Sequence, residues 1–110
     1  MSDLTEKSCI PCSGDTPPLE GDELEEMRGE VDDRWEVVDG HHLRTTVSFD
    51  DFQGALDFTN RVGELAEEEG HHPEICLTWG EARVKMWTHA IDGLSENDFI
   101  MAAKIDDILE

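Results

Sequence analysis

The sequence predicts an α+β domain in which three helices pack on one face of a four-stranded antiparallel sheet, in the order αββαββα. Two observations predict this fold class. Segments of alternating apolar and polar residues occur as two pairs, and each pair is joined by a short turn. Segments with apolar residues at helical spacing stand before, between and after these pairs. The length of 110 residues suits one domain.

The first segment of the chain is rich in residues that break regular structure. Residues 1–20 hold all but one of the prolines and read as a flexible leader, and residues 21–110 read as the folded domain. Asp22 is the predicted cap of the first helix, because its short carboxylate can accept a free backbone N–H. The apolar residues of this helix at helical spacing are Leu24, Met27 and Val31.

A first hairpin follows this helix. Trp35–Val38 is the predicted outgoing strand, and Asp39-Gly40 is typical of a type I′ turn. The predicted return strand runs from His42 to Phe49. Its residues alternate between the two faces of the sheet. Those predicted to face the core are Leu43, Thr45, Val47 and Phe49.

The second and third helices enclose a second hairpin. Asp50 or Asp51 starts the second helix, and Gly70 ends it. Ile75–Trp79 and Ala82–His89 are the predicted strands of the hairpin. Ser95 is the predicted cap of the last helix, with Asp98 at the acidic position of a capping box.

The net charge of −20 comes from 8 Lys+Arg against 28 Asp+Glu. Such a chain repels phosphate, so we expect no direct contact with nucleic acid and none with anionic membranes. No segment reaches the roughly 18 apolar residues of a membrane span. The first residues lack the basic and then apolar pattern of a secretory signal. These features predict a cytoplasmic protein.

The three cysteines form no disulfide framework, because their number is odd in a chain predicted to be cytoplasmic. Cys9 and Cys12 have the spacing of half a zinc site or of a redox pair. A second such pair is missing, and no βαβ pattern surrounds this one. The favoured interpretation is two thiols without a metal.

Three of the five histidines are candidates for chemistry: His71, His72 and His89. Pro73 holds His72 in an extended conformation just before the second hairpin, and His89 ends that hairpin. The two ends of an antiparallel hairpin meet, so the three rings can converge. Imidazoles that converge can supply an acid and a base near neutral pH.

Other interpretations of these histidines stay open at this point. Three histidines with a water form a known catalytic zinc set, although the helical spacing of the common zinc motif is absent. A histidine at a strand end is also often an ordinary surface residue. His41 and His42 follow the first turn, and we expect them to be exposed and without a role.

Several of these motifs together resemble the signature of the pterin-4a-carbinolamine dehydratases. They are His71-His72-Pro73-Glu74, Trp79, Thr88-His89, Gly93-Leu94-Ser95-Glu96 and Asp98. The similarity covers the chain from Leu19 to Ile108 and includes Trp35-Glu36-Val37, Phe49-Asp50-Asp51-Phe52 and Thr59-Asn60-Arg61-Val62. Ile75, Cys76 and Trp87 depart from the pattern of many members and bear on packing and pocket width.

The resemblance implies a hydro-lyase that converts a 4a-hydroxytetrahydropterin to quinonoid dihydropterin and water. Members of the family need no metal or organic cofactor. They recycle tetrahydrobiopterin for aromatic amino acid hydroxylases, and they form homodimers or homotetramers. The fold of the family is the α+β arrangement predicted above.

The resemblance also implies roles for single residues. His71, His72 and His89 are the implied catalytic residues, with His71 and His89 as the main proton-transfer pair. Asp98 is expected to hold a histidine or to cap the last helix. The implied substrate-binding residues are Pro73, Glu74, Thr88 and Asp98.

Two alternatives belong to other classes. One is a non-catalytic module that binds a pterin or acts as a dimerisation cofactor of a transcription factor, as the mammalian relative does. The other is a paralogue that acts on a related pterin, for example in molybdenum-cofactor metabolism. The presence of all three histidines favours the enzyme.

Overall fold

The computed structural model describes residues 4–9 and 16–109. Its element order confirms the predicted αββαββα fold. The helices are α1 (Gly21–Arg28), α2 (Phe52–Glu69) and α3 (Glu96–Leu109). The strands are β1 (Glu36–Val38), β2 (His42–Ser48), β3 (Glu74–Leu77) and β4 (Glu81–Met86). Two short 3₁₀ helices are Leu4–Glu6 and His89–Ile91. Within the described ranges, no helix has the length and apolar character needed to cross a membrane.

The four strands form one antiparallel sheet in the order β1-β2-β4-β3. Cross-strand pairs such as Leu43 with Met86 and Thr45 with Val84 put every second residue on the same face. That inner face packs in the core with α2 and α3. Fully buried side chains of this core include Trp35, Leu43, Met86, Leu94, Phe99 and Ile105. The opposite face of the sheet is open to solvent.

The turn between β1 and β2 has the predicted type I′ conformation. Asp39 and Gly40 both have positive φ, at 55° and 66°. The N–H of His41 donates to the carbonyl oxygen of Val38 at 2.9 Å, which closes the turn.

Helix α2 begins and ends as the sequence predicts. The Asp51 side chain accepts a hydrogen bond from the N–H of Gly54 at 2.8 Å. At the other end, Gly70 has φ 66°, and its N–H donates to Ala66. This left-handed residue turns the chain out of the helix and into His71.

The predicted start of α1 is wrong. Glu20 occupies the capping position with an extended backbone, and its side chain makes no capping hydrogen bond. Asp22 lies inside the first turn instead. There its negative charge is attracted by the partial positive charge of the helix N-terminus, so an acid is still favoured at this position.

The boundaries of the second hairpin also differ from the prediction. β3 is Glu74–Leu77, and Trp79 beyond it is 69% exposed. β4 ends at Met86 and does not continue to His89. An isolated pair of hydrogen bonds joins Thr88 to Gly93, and the left-handed Asp92 lies between them. This closed loop bends the chain, so His89 starts a 3₁₀ helix.

The described part of the leader packs on the domain. Leu4 is buried in the core, and the N–H of Cys9 donates to Glu69 at 2.8 Å. Burial, and then the charge of Glu69, raise the pKa of the Cys9 thiol to about 12. Cys12 lies outside the described residues, so the interpretation of the Cys9–Cys12 pair stays a prediction, as does the domain boundary at residue 20.

Replacement of Gly70 by alanine should destabilise the protein by about 1 kcal/mol, because a left-handed φ of 66° disfavours a residue with a Cβ. Gly63→Ala is the matched control within the same helix. A Cβ at Gly63 would meet no atom within 4 Å, so this change should stabilise by about 0.5 kcal/mol. Urea unfolding measures both, and equal shifts would contradict the assignment of Gly70 as the helix stop.

Candidate active site

One surface pocket brings together the three histidines singled out above. It has a volume of about 380 Å³ and lies where the end of α2 meets the end of β4. Its lining residues are Gly70, His71, His72, Trp87, Thr88, His89 and Ala90. His71 and His72 come from the segment that follows Gly70, and His89 comes from the 3₁₀ helix that follows β4.

The Asp98 carboxylate forms the buried support of this pocket. Its side chain has 0% exposure, and three groups surround its two oxygens. Oδ1 lies 2.6 Å from Nε2 of His71. Oδ2 accepts hydrogen bonds from the Thr88 hydroxyl at 2.9 Å and from the N–H of Ser95 at 3.0 Å. Asp98 therefore supplies the acidic half of the predicted capping box and also contacts a histidine.

The position of Asp98 favours its negative charge. It lies in the first turn of α3, where the helix dipole stabilises an anion. A carboxylate only accepts hydrogen bonds, so Nε2 of His71 is the donor in this contact. Nδ1 of His71 has no hydrogen-bond partner among the described residues and is left for a ligand.

His72 has a different environment from its neighbour. Its ring is 62% exposed, and Nε2 lies 2.7 Å from a carboxylate oxygen of Glu67, which is 78% exposed. An ion pair in water holds its partners weakly, with a contribution of about 0–1 kcal/mol. His72 can therefore reorient toward a bound molecule, whereas His71 is fixed.

His89 is oriented by an aromatic contact. Its ring stacks on the indole of Trp87 with centroids 4.4 Å apart and planes 9° from parallel. Trp87 thus forms the support of His89 at the wall of the pocket.

The sequence interpretation of His41 and His42 as exposed residues is wrong, because both are half-buried. Nε2 of His41 lies 2.8 Å from Oδ1 of Asp92, and its Nδ1 lies 3.0 Å from Nδ1 of His42. Both rings contact Trp87, at centroid distances of 5.3 and 6.2 Å. Burial, and then the nearby Lys85, lower the pKa of His42. The β2–β4 register carries the missed signal, because it places His42 beside the strand end that leads to Trp87.

The other predicted site residues lie at the margins of the pocket. The Thr88 hydroxyl is buried and is committed to Asp98 and to Ser95. Pro73 and Glu74 follow the histidine pair, and Glu74 lines a neighbouring depression on the open face of the sheet. Across residues 4–9 and 16–109, no three His, Cys, Asp or Glu side chains are grouped so that they could hold a metal ion.

Asp98→Asn should lower the free energy of unfolding by about 2 kcal/mol, because an amide accepts less strongly and points a donor at groups that also donate. Asp107→Asn is the control: it is the same change at an exposed position of the same helix and should cost less than about 0.5 kcal/mol. Urea unfolding gives both values. A cost at Asp98 no larger than that at Asp107 would show that the buried network contributes nothing to stability.

Comparisons with known proteins show which family this chain is similar to. Residues 17–108 match the family model described as pterin 4 alpha carbinolamine dehydratase. A relative from Rubrobacter xylanophilus, provisionally named a pterin-4-alpha-carbinolamine dehydratase, is 58% identical over 106 residues, which are 96% of this chain and 98% of the relative. A relative from Methylococcus capsulatus with the same provisional name is 52% identical over 96% of this chain and 92% of its own.

A solved structure shares the fold. It is a transcriptional coactivator/pterin dehydratase from Brucella melitensis, with 31% identity and a TM-score of 0.78. The match covers 84% of this chain and 99% of that one. The chain described above therefore belongs to the pterin 4 alpha carbinolamine dehydratase family.

Proposed function

We propose that this protein is a hydro-lyase that converts a 4a-hydroxytetrahydropterin to quinonoid dihydropterin and water. Membership of the family supports this activity. The observation that carries the proposal is that His71 and His89 line the same pocket. His71 is held there by the buried carboxylate of Asp98.

The reaction needs two proton transfers and no redox step. The bond between C4a and the hydroxyl oxygen breaks, and the oxygen keeps the electron pair, takes a proton and leaves as water. N5 loses its proton, and the electron pair of that N–H bond forms the C4a=N5 double bond. One group must act as an acid and another as a base. Imidazoles perform both tasks near neutral pH.

In this proposal His71 and His89 form the proton-transfer pair. The contact with Asp98 leaves Nδ1 of His71 as the reactive nitrogen, and the stack on Trp87 fixes the ring of His89. His72 is exposed and, among the described residues, is held only by an exposed ion pair with Glu67, so its role is to bind the pterin and to assist the transfer. The two main rings return to their starting protonation states through solvent, which the open pocket admits.

Asp98 is a positioning residue in this scheme. It holds the tautomer and the orientation of His71, and it stabilises the imidazolium that forms when this ring takes a proton. Thr88 acts through Asp98, because its hydroxyl donates to that carboxylate. Pro73 and Glu74 shape the entrance next to the histidine pair.

The proposed setting is a cytoplasmic homodimer or homotetramer that recycles tetrahydrobiopterin after an aromatic amino acid hydroxylase has used it. The chemistry described above transfers only protons, so we propose that the enzyme works without a cofactor. No direct contact with nucleic acid is expected from a chain with a net charge of −20.

A second candidate function follows from one relative. The protein from Brucella melitensis carries the name of a transcriptional coactivator as well as that of a dehydratase. A partner-binding module of that kind would not need the histidines to be poised for proton transfer. A folded wild-type protein that binds pterin without accelerating dehydration would favour this candidate over the enzyme.

The test of the proposed function is a stopped-flow assay of the dehydration of a synthetic 4a-hydroxytetrahydropterin. The changes are His71→Gln and His89→Gln, which keep the size and polarity of the rings but cannot transfer protons near neutral pH. Each should lower kcat by about 10²–10⁴-fold, the usual contribution of a general acid or base. His72→Gln should mainly raise KM.

Asp107→Asn controls for changes at a surface remote from the pocket and should leave kcat unaltered. Circular dichroism should show that every variant is folded. If folded His71→Gln and His89→Gln both keep the wild-type rate, the assignment of the proton-transfer pair is wrong.

A further inference from the structure

The open face of the sheet carries three of the few basic residues of this acidic chain. Arg44, Arg83 and Lys85 lie on it, although the whole chain has only 8 Lys+Arg against 28 Asp+Glu. Arg44 stands directly opposite Lys85 in the β2–β4 ladder, and Arg83 is two residues away on the same face. Like charges opposite each other destabilise a sheet. An anion between them would remove this cost.

Two of these cations are also unpaired. Other basic residues, such as Arg34, Arg44 and Lys104, each have a carboxylate oxygen within 4.0 Å. Within the described part of the chain, no carboxylate oxygen lies that close to Arg83 or Lys85. Two neighbouring cations without a carboxylate partner are available to bind an external anion.

The unpaired cations line a depression of about 280 Å³. Its lining residues are Glu74, Ile75, Cys76, Arg83 and Lys85. Glu74 is its one carboxylate and stands opposite Lys85 in the β3–β4 register. The two cations therefore outnumber the single anion of the lining, in contrast to the strongly acidic chain as a whole.

This depression adjoins the histidine pocket. His72 precedes Glu74 by two residues, and Trp87 follows Lys85 by two. Nζ of Lys85 lies 5.1 Å from the centroid of the Trp87 ring, so Lys85 contacts the wall of the histidine pocket.

We propose that Arg83 and Lys85 form a subsite for an anionic side chain of the substrate. This inference rests on the proposed function: with the pterin ring at the histidines, its side chain would extend over Trp87 toward the depression. The substrate class is then a 4a-hydroxytetrahydropterin whose side chain ends in a phosphate or a carboxylate. Arg83 supplies a planar fork that suits either group, and Lys85 supplies a compact charge.

The rest of the molecule makes this subsite necessary for such a substrate. A net charge of −20 repels an anion at long range, so an anionic substrate needs local cations to bind. The attraction at an open surface is screened by salt, with a Debye length of about 10 Å at 0.1 M. Selectivity for the anionic substrate should therefore fall as salt rises.

The experiment compares kcat/KM for three synthetic 4a-hydroxytetrahydropterins, with a neutral dihydroxypropyl, a phosphate or a carboxylate side chain. At low salt, wild type should prefer one anionic substrate over the neutral one by about tenfold, the effect of one charge-assisted hydrogen bond. The anionic substrate with the larger ratio of kcat/KM to that of the neutral substrate shows whether the subsite prefers phosphate or carboxylate. Arg83→Met and the double change with Lys85→Met keep apolar stems and should reduce this ratio to about one.

Arg61→Met is the matched control, because Arg61 is another cation without a carboxylate within 4.0 Å among the described residues, and it lies on α2. It should leave the ratio at the wild-type value. Sedimentation velocity of each variant is run in parallel. The subsite is overturned if wild type shows no preference, if the double variant slows all three substrates equally, or if it changes the oligomeric state, which would assign the basic face to an interface.

Failure of the subsite is distinguishable from failure of the proposed function. If wild type dehydrates the neutral substrate but prefers no anion, only the subsite fails. If it dehydrates none of the three, the proposed function fails, and calorimetry with stable oxidised pterins that carry the same side chains still tests the subsite. Tighter binding of an anionic pterin that Arg83→Met abolishes would support it, and equal binding of all three would overturn it.

Discussion

The buried Asp98 carboxylate is the interaction on which the pocket depends. It joins three segments that are distant in the sequence: the start of α3, the end of the β4 hairpin and the turn after α2. A charged group without exposure to water is costly unless its hydrogen-bonding capacity is satisfied. Here a backbone N–H, a hydroxyl and an imidazole meet that need, and the start of a helix adds a favourable dipole. The same contacts that keep this charge buried fix the orientation of His71.

Local features of the surrounding elements position the groups that contact Asp98. Gly70 stops α2 with a left-handed residue and releases the chain toward His71. The paired Thr88 and Gly93 close a loop that holds His89, and Ser95 follows this loop by two residues. Glu69, next to Gly70, is bound by Lys104 and by the N–H of Cys9, so the described leader steadies the end of α2. Interactions with Lys104 and Cys9 lower the pKa of Glu69, so it stays charged for both contacts.

Much of this arrangement could be predicted from residue patterns. Alternation and helical spacing located the three α-helices and the four strands, and Asp39-Gly40 identified the turn type, because these signals are local. The boundary at His89 could not be predicted, since the hydrogen bonds between Thr88 and Gly93 compete with the ladder only in the folded chain. Asp98 posed a choice between capping a helix and holding a histidine. Its Oδ2 accepts from the N–H of Ser95 at the helix start, and its Oδ1 contacts His71. The second contact could not be predicted, because His71 comes from a remote segment.

The surroundings of Trp87 depend on long-range pairing and were missed for that reason. β2 pairs with β4 across an intervening helix and strand, and only this register brings His42 and Arg44 beside Trp87 and Lys85. The pattern of either hairpin alone does not predict the register between β2 and β4. The basic face of the sheet becomes visible in the same way, since Arg44 and Lys85 are 41 positions apart in the printed sequence.

The most direct test of this account is the state of the His71 ring, observed by long-range ¹H–¹⁵N NMR of the wild-type protein. The contact with Asp98 predicts that neutral His71 carries its proton on Nε2 and that Asp98→Asn perturbs this signal far more than that of exposed His72. A neutral His71 with its proton on Nδ1, or a ring that averages between both forms as His72 should, would contradict the central role assigned to Asp98.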